Sequence, residues 1–158
     1  MINQGAQPAG DGVMATERSN GRATGRHLTS SGSGAEDSTT GRLESFDCYR
    51  LAVEFAVLAA SLVPRGHASL RDQLERASAS VALNLAEGFG RWQPREKAHH
   101  YTIARGSVLE SGAVIDLLRA RGLAGEAECA RARELCRRVG QMLSGLIRAM
   151  GRRATGRR

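Results

Sequence analysis

Between Leu43 and Met150, apolar residues recur every three or four positions through four successive runs, and none shows the two-residue alternation of a strand. The last run is the cleanest: Cys129, Ala132, Cys136, Val139, Leu143, Leu146 and Met150 keep the rhythm over three heptads. In the first run, Phe46, Tyr49, Val53, Ala56 and Ala60 mark one stripe, Ser45 is the expected N-cap, and Pro64 stops the helix near Val63. A second stripe of Leu51, Phe55, Leu58 and Leu62 makes this helix apolar nearly all round. Such a helix is either the most central one or also meets another subunit. The second run spans Ala68 to Glu87, with Leu70, Leu74, Ala77 and Val81 on one side; Gly88, with Gly90 after it, is expected to close it in a left-handed conformation. The third opens at Pro94, carries Tyr101, Ala104, Val108, Ser111, Ile115 and Leu118, and stops at Gly122. Mid-helix Gly106 is expected to permit close helix approach, at about 1 kcal/mol relative to alanine. The fourth starts after Gly125. Four helices with short connections predict an all-α fold, an antiparallel up-down-up-down four-helix bundle over residues 43–150.

Aromatic residues are only 4% of the chain, so the core must come from Leu, Val, Ile, Ala and Met, which suits closely packed helices. Residues 1–42 are a Gly/Ser/Thr/Ala mixture with few large apolar side chains, and are expected to be a disordered tail. Met14 lies inside it as an alternative start. Three cysteines, Cys48, Cys129 and Cys136, do not suggest a disulfide framework. Cys129 and Cys136 are two helical turns apart, about 10 Å, too far to bridge. They read as small buried hydrophobes. The longest apolar run, Phe55 to Val63, is too short for a membrane span, and no secretory pattern opens the chain. A soluble, cytoplasmic protein is expected.

The second helix carries one irregularity. After Leu74, Ala77 and Val81 the stripe leads to Asn84, an amide where a core residue was due. Ser80, Asn84 and Glu87 share a face at i, i+4 and i+7, and Tyr101, Ser107 and Glu110 of the third helix can meet them. A buried polar set must be satisfied internally or it costs about a kcal/mol or more per group. A structural network that sets helix register is therefore the expected role of Ser80, Asn84, Glu87, Ser107 and Glu110. Two carboxylates alone do not make a catalytic site, and no nucleophile, oxyanion donor or phosphate loop accompanies them.

The order Asn84-Leu-Ala-Glu87-Gly88-x-Gly90-Arg91, then Tyr101-x-x-Ala104-x-Gly106-Ser107-x-x-Glu110, resembles a bacterial four-helix bundle family. Its founding members are encoded by intervening sequences in large-subunit ribosomal RNA genes. The resemblance runs from about Phe46 to Met150, with Leu83 and Gly125 as mild departures from its pattern. It implies a non-enzymatic homo-oligomer, a pentamer. The fold is also similar to that of the basic accessory proteins of diversity-generating retroelements, which partner a reverse transcriptase and nucleic acid.

Positive charge is unevenly placed. Of the net +7, the residues before Leu43 contribute nothing, residues 43–150 hold 15 basic against 12 acidic side chains, and Arg152, Arg153, Arg157 and Arg158 supply the rest. At 100° per residue, Arg131, Arg133, Arg137, Arg138 and Arg148 all fall away from the apolar stripe of the fourth helix, with only Glu134 among them. These five, with Arg152 and Arg153 of a basic tail at 151–158, are the candidate RNA- or DNA-binding residues. No aromatic residue interleaves with them, so base stacking is not expected on this face. The alternatives are a solvated face on a protein-interaction scaffold, or an accessory protein that binds no nucleic acid itself. Glu96-Lys-Ala-His99 matches half of a di-iron helix motif, but a single copy cannot build that site, and neither metal nor cofactor is expected. Phe89 and Trp92 fall in the corner between the second and third helices: one is expected to plug the bundle end, the other to meet a neighbouring subunit.

Overall fold

The computed structural model describes residues 42–156. The expectations for the N-terminal tail, for Met14 and for Arg157 and Arg158 lie outside the described residues, apart from Arg42. A single helical turn at 42–44 leads into α1 (Asp47–Leu62), α2 (Ala68–Gly90), α3 (Pro94–Ala120) and α4 (Glu126–Ala154), and there is no strand among the described residues. Each helix packs on its neighbours in the chain, and α4 closes back on α1. Successive helices touch in opposed order. Phe46 stacks on Phe89 at 5.5 Å while Arg71 reaches the Val63 carbonyl at 2.9 Å. Ser80 meets Ser107 and Gly88 meets Tyr101 across α2 and α3; Arg133 meets Asp116 across α3 and α4.

The α3 and α4 stripes are buried as their periodicity predicts, apart from half-buried Leu146. In α1 the core face is instead Cys48, Ala52, Phe55, Ala59 and Leu62, while Val53 is 40% exposed and Ala60 is exposed. The stripe expected from Phe46 to Ala60 is therefore the flank and outside of α1. A helix apolar on nearly every side gives periodicity nothing with which to choose a face. Nor is Ser45 its cap: the helix opens after Phe46, and Ser45 Oγ donates to the Arg42 carbonyl at 2.8 Å.

Small side chains dominate the interior, with Phe55 the largest fully buried one. Ala52, Ala59, Ala77, Ala104 and Ala132 let neighbouring helices approach along their length. Serines add to this without stranding polar atoms. Buried Ser78, Ser107 and Ser111 each donate to a carbonyl three or four residues back, and no buried side-chain polar atom among the described residues lacks a partner.

Two glycines depart from expectation. Gly88 is not a left-handed terminator, since α2 continues through Gly90 and the positive-φ glycines are Gly66, Gly122 and Gly156. A Cβ on Gly88 would lie 2.6 Å from Cε1 of Tyr101, so its role is close approach of the two helices. Gly106 has no such role: it is exposed, and a Cβ there would meet nothing within 4 Å. Gly88→Ala should cost about 1–3 kcal/mol by overpacking, and Gly106→Ala should gain about 0.5–1 kcal/mol of helix propensity. Urea denaturation of the two variants checks both signs; equal midpoints would contradict the assignment.

Candidate nucleic-acid interface

All seven candidate arginines are exposed, and α4 runs on through Ala154, so Arg152 and Arg153 belong to its last turn rather than to a separate tail. The structure does not bring the seven onto one surface. Arg131 and Arg138 lie toward α1, where Arg131 pairs with Glu54 at 3.3 Å and Arg138 borders a recess shared with Asp47, Arg50 and Met142. Arg133, Arg137 and Arg148 line a groove of about 890 Å³ between α3 and α4, together with Arg105, buried Val108 and exposed Leu109. Arg105 was not among the candidates; nothing in the α3 periodicity shows that it faces the α4 arginines.

Charge pairing reduces the field unequally. Arg133 forms an ion pair with Asp116 at 3.1 Å and Arg137 holds Glu134 through Nε and Nη2 at 2.8 and 2.6 Å. The hydrogen bond from Arg137 holds the Glu134 carboxyl below its usual range and raises Arg137 in turn. Among the described residues, Arg138, Arg148, Arg152 and Arg153 have no carboxylate within ion-pair distance. These four are not neutralised by a side-chain carboxylate, and exposed pairs such as those of Arg131 and Arg133 are worth only about 0–1 kcal/mol.

The polar set at the α2–α3 contact is smaller than its sequence pattern. Ser80 Oγ and Ser107 Oγ are 2.9 Å apart, and Asn84 Nδ2 donates to the Ser80 carbonyl at 2.9 Å and approaches its hydroxyl at 3.2 Å. That orientation turns Asn84 Oδ1 toward His100 Nδ1 at 3.4 Å, so the ring nitrogen must donate. Glu87 and Glu110 stand outside this set: both are exposed, Glu87 pairing with Arg91 and Glu110 accepting from Gln73. Asn84 is half-buried, and the core stripe passes beside it through Leu85 and Gly88. His100, which joins the network, carried no signal in the sequence beyond its place one turn before Ala104.

Burial lowers the His100 pKa, and Arg91 and His99 lower it further. Burial drives Cys48 and Cys136 up to about 12, leaving inert thiols. Among the described residues no three His, Cys, Asp or Glu side chains gather as a metal site, and no helix is long and apolar enough to cross a membrane.

These features define an all-helical bundle whose arginines are carried on its outside. The chain belongs to the 23S rRNA-intervening sequence protein family, whose model matches residues 44–145. No curated protein matches it.

Because the folded state disfavours the His100 cation, the stability that His100 contributes is present above the ordinary histidine pKa of about 6.5 and declines as pH falls through its lower folded value. NMR titration should place His100 below 6.5, and a value above it would remove the argument. Ser107→Ala should cost about 1 kcal/mol in denaturant unfolding, with Ser80 still held by Asn84.

Proposed function

We propose that this protein is a non-enzymatic, homo-oligomeric, antiparallel up-down-up-down four-helix bundle that binds RNA or DNA electrostatically along the outside and C-terminal end of α4. The opposed order of contacts between successive helices supports the topology. Exposed Val53 and Val57 on α1 favour self-association, for which the family resemblance suggests a pentamer. One observation carries the binding reading: Arg138, Arg148, Arg152 and Arg153 are exposed without carboxylate partners among the described residues, on a helix whose outer face has one acidic residue between Ala130 and Ala154. Repetition around an oligomer multiplies that field, and phosphate contacts of this kind require no base recognition.

A second reading has its own support. The groove between α3 and α4, lined by the apolar side chains of Val108 and exposed Leu109 and by several arginines, suits an acidic amphipathic segment of a protein partner such as a reverse transcriptase.

Binding to a 30-base-pair duplex and to single-stranded RNA should weaken steeply with salt, the affinity falling about tenfold or more between 50 and 200 mM. Removal of residues 151–158 should flatten that slope. No binding at about 50 mM salt, or an unchanged slope after truncation, would overturn the nucleic-acid reading; a monomeric mass in solution would overturn self-association.

A further inference from the structure

The α2–α3 corner presents an aromatic side chain to solvent at the most basic end of the bundle. Trp92, the chain's single tryptophan, is 93% exposed, with exposed Arg91 and Arg95 on either side in sequence. Its neighbour Phe89 shows what a structural aromatic does here: it stacks on Phe46 at 5.5 Å and lies 5.9 Å from the Lys97 ammonium. Trp92 makes no comparable contact. Beneath it, Lys97 Nζ donates to the Gly88 and Phe89 carbonyls in the last turn of α2 at 3.2 and 2.8 Å.

Other elements bring cations to the same end. Val108 lies opposite Gly140. From there α4 runs on to Arg153 while α3 runs back the same number of residues to Arg95. Arg153 and Arg42 both press on Lys97, whose pKa is lowered first by burial and then by these two charges. Arg91 is engaged by Glu87, whereas Arg95, Arg152 and Arg153 have no carboxylate partner among the described residues. An indole in water costs solvation free energy that a folded chain ordinarily recovers by burial. One held in the open among arginines offers a π-face and phosphate partners together, the combination with which single strands are bound without sequence preference.

The structure assigns this end of the bundle as a single-strand nucleic-acid site, in which a base stacks on Trp92 and the flanking phosphates lie on Arg95, Arg152 and Arg153. The inference rests on the nucleic-acid reading above and adds a strand preference to it. Duplex cannot use the platform, because its bases already stack on one another, so single strands gain an increment that duplex lacks.

As Trp92 is the only tryptophan, its emission reports the contact directly. Titration with a 20-nucleotide oligo(dT) or oligo(U) should quench the fluorescence, and a 20-base-pair duplex should not. Trp92→Ala, at a site too exposed to disturb folding, should weaken single-strand binding about 5- to 100-fold and leave duplex binding unchanged. Trp92→Phe should recover part of the loss, and Arg95→Glu with Arg153→Glu should weaken it independently. Salt-sensitive binding of both probes without quenching, and with wild-type affinity in Trp92→Ala, would overturn the platform while sparing the α4 reading. No binding of either probe at about 50 mM salt would overturn both. A Trp92→Ala variant altered in assembly mass but not in oligonucleotide affinity would assign the indole to a subunit contact and overturn the proposal.

Discussion

Close approach of α2 and α3 is the constraint on which the rest depends. With one large fully buried aromatic, Phe55, the interior cannot be filled by bulky side chains reaching across gaps. The backbones must come near one another instead, and the α2–α3 contact shows how. Gly88 has no Cβ where the Tyr101 ring lies, alanines occupy neighbouring core positions, and serines return their hydroxyls to their own helices. A hydroxyl satisfied three or four residues back can be buried at almost no spatial cost, which a longer polar side chain cannot. The Ser80, Ser107 and Asn84 cluster adds a directional element, because a one-turn slip of α2 along α3 would break all of its cross-helix bonds together.

The core is committed to packing. Cys48 and Cys136 remain protonated thiols, and the interior polar groups are engaged with one another. The charge that gives the protein its basic character lies on the two flanks of α4 and on the end where α4 stops beside the α2–α3 corner. Arg131, Arg133 and Arg137 are tied to Glu54, Asp116 and Glu134, so the flanks are partly neutralised toward the start of the helix and increasingly positive toward its end.

The helices differ in how legible their buried faces are. In α4, polar residues separate the apolar positions cleanly and the predicted stripe coincides with the buried face; in α3 the predicted stripe is also buried, although Ile103, Leu109 and Leu117 lie exposed on its other sides. In α1 the two do not coincide, because Val53, Val57 and Ala60 are as apolar as the residues that are buried. Gly88 and Gly106 look alike in sequence, and only the neighbour across the interface separates a glycine needed for approach from one that is merely tolerated. Glu87 and Glu110 fit the helical face of the polar network but lie one step too far out, where Arg91 and Gln73 take them up. Periodicity places a residue on a face to within about 50°, half the angular step between residues, and that margin spans the boundary between a buried network and a solvated ion pair.

The amino-acid sequence by itself determined the number of helices, their approximate ends, the family, and the placement of most of the net positive charge on the fourth helix and beyond it. These depend on local propensity and on a periodic pattern repeated over many residues, so errors at single positions average out. Tertiary structure alone decided which face of α1 is buried, which polar residues join the network, how the arginines divide between the flanks of α4, and that Trp92 rather than Phe89 is left in water. Each of those depends on a contact between residues distant in the chain, and no local pattern carries the identity of a partner on another helix.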